Sequence, residues 1–191
     1  VTVAQGDDGA REGPEAAVEE EQRGRAERES GGEDPMMTRI GQVVMLLHAG
    51  DREEARNRFA LLWEETGEDG DALHRCTIAH YMADTQDDPE RELEWDLRAL
   101  AAADSLSDER VRQHDAAVRL RGFYPSLHLN LAADYAKLGR PERARAELAR
   151  ARAASAVLDT GDAATGPYAA GVLSAIDRLE TRLADGAGQS P

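Results

Sequence analysis

Cys76, His80 and Asp84 stand four residues apart on one predicted helix, so a thiol, an imidazole and a carboxylate share a face where zinc chemistry is conceivable. Zinc needs four ligands, or three and a water, in tetrahedral geometry. Two turns of one helix spread these three over about 12 Å, too far for a single ion. The expectation is a buried Cys76 beside a partly buried His80, with Asp84 in solvent and no metal. His48, His74, His114 and His128 fall in no spacing that predicts a use, and His114-Asp115 project to opposing sides of a helix. There is no Gly-rich phosphate loop, no Ser nucleophile elbow, no Cys pair and no His-Glu-x-x-His, so neither catalytic residues nor a cofactor are expected. Carboxylate pairs such as Glu53-Glu54 and Glu64-Glu65 read as solvated helix faces, and no pair has a reason to be desolvated.

The chain that must position these groups has 191 residues, 38 acids against 23 Lys plus Arg, and a net charge of −15. That length suits one domain, and that charge opposes both nucleic acid and anionic membrane as partners. A single cysteine and the lack of any long apolar run make a reducing cytoplasm the expected location. Residues 1 to 35 hold eleven acids and four arginines, a net charge of −7 that leaves −8 for residues 36 to 191. They lack core-forming side chains and are expected to be a disordered acidic tail, as are residues 186 to 191 at the other end. Because the sequence starts with Val and periodicity begins at Met36-Met37, the tail reads as a solvated extension or an over-long start, not a functional arm. Lys137 is the single lysine, a skew that suits a GC-rich, bacterial genome.

From Met36 onward apolar residues recur with period 3.6, as in Val43, Leu46 and Leu47 or Leu127, Leu131 and Tyr135, and nowhere with period 2. Turn signals at Gly50-Asp51, Gly67 to Gly70, Asp87 to Pro89, Ser105 to Ser107, Gly122 to Pro125, Gly139 to Pro141 and Asp159 to Pro167 divide them. Eight antiparallel helices follow, over 37–49, 52–66, 71–85, 89–104, 107–121, 125–138, 141–157 and 168–184. Hairpins counted from the odd helices repeat at about 34 to 36 residues.

At these positions the chain resembles the tetratricopeptide repeat family. In residues 125 to 158 Leu131-Ala132, Tyr135, Gly139, Ala144, Leu148 and Ala151 fall at the family's offsets, and in 36 to 67 Val43, Leu46, Gly50, Ala55, Phe59 and Leu62 do so less completely. Glycine would turn the chain there, and alanine would let helices approach closely. The middle has Ile78, Ala79 and Met82 followed by Leu93, Leu97 and Leu100, with Asp88-Pro89 in place of the turn glycine. The best match pairs the sixth helix with the seventh, whereas the hairpin count pairs the fifth with the sixth. Either 107–121 is an insertion, or the strong match lies between hairpins. The stripe Tyr168, Val172, Ile176, Leu179 and Leu183 reads as a terminal capping helix.

The resemblance implies an all-α helical-hairpin solenoid over residues 36 to 185, another α-solenoid or an irregular bundle being the alternative. Its first helices would line a concave groove, which assigns Asn130, Ala133 and Lys137 to that groove. The family's carboxylate clamp is absent, since Ile40, Val44, His74, Ile78 and Tyr81 occupy the equivalent stretches. The expected function is a non-enzymatic scaffold or adaptor that binds a basic or mixed-charge protein or peptide segment. Tyr81 would anchor it, with His80 and Asp84 beside, and Asn130, Ala133 and Lys137 farther along. The alternatives are a regulator resembling bacterial tetratricopeptide peptide receptors, although the sequence shows no effector domain, and an enzyme with an unrecognised site. The sequence leaves the oligomeric state open.

Overall fold

Asp34 and Pro35 begin the first helix, two residues before the predicted start. The Asp34 carboxylate accepts from the Met36 and Met37 amides at 3.0 and 3.1 Å, and proline follows at the position where its missing N–H costs nothing. The computed structural model describes residues 34–109, 114–158 and 166–187, with side chains except at 106–109, 114–122, 157, 186 and 187. The chain divides into two compact units, Val1–Thr38 and Arg39–Pro191. Of the first, only residues 34–38 are described, so the predicted tail lies outside the described residues except for its last two.

The helices are α1 (Pro35–His48), α2 (Arg52–Thr66), α3 (Ala72–Ala83), α4 (Pro89–Glu109), α5 (His114–Lys137), α6 (Pro141–Ala154) and α7 (Gly166–Ala187), with a 3-10 turn at Ser155–Val157 after α6. Among the described residues there is no strand, and no helix is long and apolar enough to cross a membrane. The predicted turns around Gly50 and Gly139 close alike. Both glycines take positive φ, 92° and 66°, while the next residue's amide reaches back to Leu46 O or Tyr135 O. That geometry ends a helix without strain only where no Cβ is present.

Seven α-helices are described where the sequence predicted eight, because 107–121 is not a separate element. Its first residues end α4 and its last belong to α5, which runs on through Gly122 and Pro125. Proline deletes one N–H from the ladder and normally breaks a helix. Here Pro125 is buried, and Phe123, Tyr124 and Leu127 around it pack on a core of Cys76, Ala79, Ala99, Ala102 and Ala103. Apolar burial outweighs the missing bond, and the strongly matching stretch becomes the pair α5–α6.

Neighbouring helices are antiparallel, as the pairings between them require. The Arg75 guanidinium lies over Trp63, joining the start of α3 to the end of α2, while Arg56 at the start of α2 donates to Thr85 O at 2.9 Å just beyond α3. Between α4 and α5, Tyr124 Oη donates to Asp104 at 3.0 Å and Asn130 to Asp96 at 3.4 Å. Between α5 and α6, His128 meets Glu147 at 2.8 Å and Arg143 lies over the Tyr135 ring. Ala55, Ala132, Ala144 and Ala151 are wholly buried, consistent with close backbone approach at those positions. On α7, Ala169, Val172, Ile176 and Leu179 face the core, but Tyr168, predicted in the same stripe, is 47% exposed and donates to Ser126 Oγ. Leu97 of α4 likewise points outward.

Candidate functional site

Helix α3 is held firmly at both ends. The Asp71 carboxylate caps its start by accepting from the Leu73 and His74 amides at 2.8 and 3.2 Å. At its end Arg52 donates to Asp84 O at 3.2 Å and Arg56 to Thr85 O, two cations set against the negative end of the helix dipole. Asp87 receives both guanidinium groups, and Arg56 followed by Arg52 holds its carboxyl below the usual range.

The three residues spaced along α3 separate by environment. Cys76 is fully buried, and burial, followed by the charges of Asp104 and Asp96, pushes its thiol up to about 12. A thiol so protonated is neither nucleophile nor metal ligand at neutral pH. Native protein at pH 8 is expected to leave Cys76 unlabelled by a chromogenic disulfide reagent, and denatured protein to react with one equivalent. Labelling of native protein at the rate of a free thiol would show that this part of the core is open. Asp84 lies one residue past the helix and is exposed. Its carboxyl is raised by lost hydration, which the exposure limits; His80 and Lys137 oppose the rise, and Asp96 and Glu92 add to it. Among the described residues no three His, Cys, Asp or Glu side chains are grouped to hold a metal.

His80 and Tyr81 point toward different neighbours. The half-buried Tyr81 ring stacks on Phe59 of α2, with centroids 6.3 Å apart and planes 8° from parallel, and His48 and His80 approach it edge-on. Burial, then Asp84 and Tyr168, raise its phenol. His80 faces α4 and α5, its Nδ1 3.8 Å from Asp96 Oδ1 and 3.5 Å from Asn130 Nδ2. Residues fifty positions apart in the chain therefore meet.

Asn130 and Lys137 converge on the same place, and Ala133 does not. Ala133, partly buried, packs on the cluster of Ala132, Leu148, Ala151, Val172, Ile176 and Leu179 that α5 shares with α6 and α7. The position that joins Asn130 and Lys137 is Asp134, because residues four and three apart lie together on a helix. Asp134 and Asp96 are each 1% exposed, and with Glu92 they form the acidic lining of the α4–α5 seam. Lys137 Nζ pairs with Glu92 Oε1 and reaches Asp134 Oδ1 at 3.4 Å. Partial burial opposes the ammonium charge, but Glu92 and Asp134 outweigh it and raise its pKa.

Asp134 Oδ2 is buried, and no N–H or hydroxyl donor reaches it. The Asp96 carboxyl faces it, its charge bears on a group that has already lost its water, and a hydrogen bond between the two carboxyls favours the protonated form further. Burial first, then Asp96 and Glu92, push the Asp134 carboxyl up to about 8 against the pull of Lys137. Sequence reasoning missed Glu92, Asp96 and Asp134 and expected no desolvated carboxylates. A signal was available. Glu92 and Asp96 are four apart beside Leu93 and Leu100, and Asp134 lies between the apolar Leu131 and Tyr135, so both helices carry acids next to a core-facing stripe.

No protein-family model, curated protein or solved structure matches this chain.

Proposed function

We propose that the chain is a non-enzymatic helical-repeat scaffold, of the tetratricopeptide type, that binds a basic or mixed-charge protein or peptide segment. The observation that carries this reading is the meeting of α3 and α5. They are the first helices of consecutive pairs α3–α4 and α5–α6; His80 of α3 reaches Asn130 of α5, and the charges of His80 and Lys137 bear on Asp84, with Tyr81 adjacent on α3. In a stacked array of helix pairs the first helices line the ligand groove, and a half-buried aromatic flanked by polar groups suits an anchor position. The buried, protonated Cys76 is consistent with a structural role for the cysteine. The net charge of −15 favours basic segments and would speed their association at low salt.

A pull-down that returns a partner supplies the ligand for the test. Tyr81→Ala should weaken binding roughly tenfold or more, mainly through faster dissociation, as loss of an anchor does. Asp84→Lys should slow association, more at low salt than at high. Asp177→Lys, on the exposed α6–α7 side, should change binding little beyond a small electrostatic effect. Loss of binding in the Asp177 variant with full binding in the other two would place the partner elsewhere on the molecule.

A further inference from the structure

Arg75, near the start of α3, holds its guanidinium over the Trp63 ring of α2, 5.3 Å from the centroid. Trp63 meets Trp95 of α4 edge-on at 5.1 Å, and the Arg98 guanidinium covers Trp95 at 4.3 Å. Both tryptophans of the sequence and two cations thus form one stack across three helices. Among the described residues the Arg75 guanidinium makes one hydrogen bond, from Nη1 to Glu68 O at 2.5 Å, and no carboxylate pairs with it. Its Nε is buried and has no hydrogen-bond partner.

Acids outnumber bases 38 to 23 in this chain, and Arg39, Arg56, Arg98 and Arg152 each reach a carboxylate. Arg75 does not, for local reasons. Asp71, four residues earlier on the same side of the chain, is engaged with the Leu73 and His74 amides, and Glu68 meets the guanidinium with its carbonyl. A buried charged donor without an acceptor is costly, so the fork is incomplete as it stands.

We propose that the Nε–Nη2 edge of Arg75 is a binding site for a carboxylate, with the partly buried Trp63 and Ala72 taking the apolar part of the ligand. With Nη1 held by Glu68 O, that edge offers two parallel N–H donors, which match the two oxygens of a carboxylate. A neutral carbonyl would bring one oxygen to two donors. A phosphate dianion would be repelled by the exposed Glu68 and Asp69 more strongly than a monoanion is. Stacking on Trp63 fixes the plane of the fork before the ligand arrives, which lowers the cost of ordering it. Arg75 is only partly buried, so a small swing of its long side chain opens Nε to the ligand without moving the backbone. Tyr81 and Asp84 lie about 9 Å or more farther along α3, so this site stands apart from the groove proposed above.

The experiment is heteronuclear NMR of the full chain, following the two indole N–H signals and the Arg75 Nε–H signal while a ligand is added at constant ionic strength. The ligands are benzoate, benzamide and the blocked peptide acetyl-Gly-Glu-Gly-amide. Benzoate should shift the indole signals saturably with a midpoint of about 1–10 mM and move Arg75 Nε–H downfield as it gains an acceptor. Benzamide has the same shape without the charge and should bind at least about tenfold more weakly. Because the net charge of −15 keeps anions from gathering on the chain, saturation by an anion marks a direct contact. Arg75→Lys keeps the charge and loses the fork, and should weaken benzoate binding about fivefold or more. Arg98→Lys makes the same change at the far end of the stack and should alter it less than about twofold. Unshifted backbone amide signals elsewhere show that either variant is folded. The peptide binding more tightly than benzoate would assign the site to an acidic side chain of a partner protein, and the reverse order to a free organic acid. Either order supports the site.

Shifts that grow without saturating for both carboxylates would overturn the site, as would benzamide binding as well as benzoate. Equal weakening in the Arg75 and Arg98 variants would reduce the effect to general charge and overturn it too. An Arg75 Nε–H that exchanges with water as fast as that of a fully exposed arginine would show that solvent serves it, which removes the premise. None of these results bears on Tyr81 or Asp84. Full retention of a captured partner by Tyr81→Ala and Asp84→Lys would overturn the scaffold reading and leave the carboxylate site standing.

Discussion

Phe59→Ala is expected to destabilise the protein by about 3–5 kcal/mol, the range for emptying a buried aromatic site. Phe59 is wholly buried in α2, among the largest side chains in the core. Its removal loses the transfer free energy of the ring, leaves a cavity and ends the stacking with Tyr81 across the α2–α3 interface. In a domain of this size the loss corresponds to a fall in Tm of roughly 10 °C or more. Urea unfolding followed by circular dichroism measures it. Leu61→Ala, two residues away but 64% exposed, should cost less than about 0.5 kcal/mol. Similar small losses in both variants would show that α2 does not present Phe59 to the core. The Phe59 variant also frees the Tyr81 ring, so partner binding should weaken even at temperatures where the variant stays folded.

The second large effect is a dependence of stability on pH that runs opposite to ordinary acid denaturation. The Asp134 carboxyl is raised from about 3.8 to about 8 in the folded chain. A raised acid binds its proton more tightly when folded, so its contribution to stability is complete below the unfolded pKa and disappears as pH climbs through the folded one. Between pH 5 and pH 8 the native chain should therefore lose stability at up to about 1.4 kcal/mol per unit. The total is on the order of a few kcal/mol, reduced by whatever Lys137 and Asp96 recover through rearrangement. The charges of Glu92 and Asp96 from α4 and of Lys137 from α5 bear on this group. The informative quantity is thus the difference between wild type and Asp134→Asn. The amide keeps an oxygen for Lys137 and removes the titration. At pH 5 the two proteins should be of similar stability, and by pH 8.5 the variant should be the more stable. Parallel stability curves across that range would mean that Asp134 titrates like a solvated carboxylate.

Most of the helices, several of their turns and most of their buried faces were legible in the order of residues, whereas the turns expected at Ser105 to Ser107 and Gly122 to Pro125 lie inside α4 and α5. Gly50 and Gly139 turn with positive φ, and Ala55, Ala132, Ala144 and Ala151 are buried as their spacing implied, whereas Asp34, expected in the tail, and Asp71 are seen as caps in the structure. These are local matters. A cap is settled by a side chain and amides two or three residues on, and a glycine turn by the lack of one Cβ. His80, Tyr81, Asp84, Asn130 and Lys137 could also be singled out as polar or aromatic positions on the helices or at their ends, and Ala133 is partly buried against the α5–α6–α7 cluster. The tertiary structure decided two things that no local rule reaches. Pro125 lies inside a continuous α5, because packing of Phe123, Tyr124 and Leu127 outweighs one missing hydrogen bond. Asp96 and Asp134 face each other out of water, because two stripes that each look solvated alone close into one seam. Helix periodicity states which residues share a face. Only the packing of α4 against α5 states that the acids on those faces lose their hydration together, and that loss is what turns ordinary carboxylates into a candidate site.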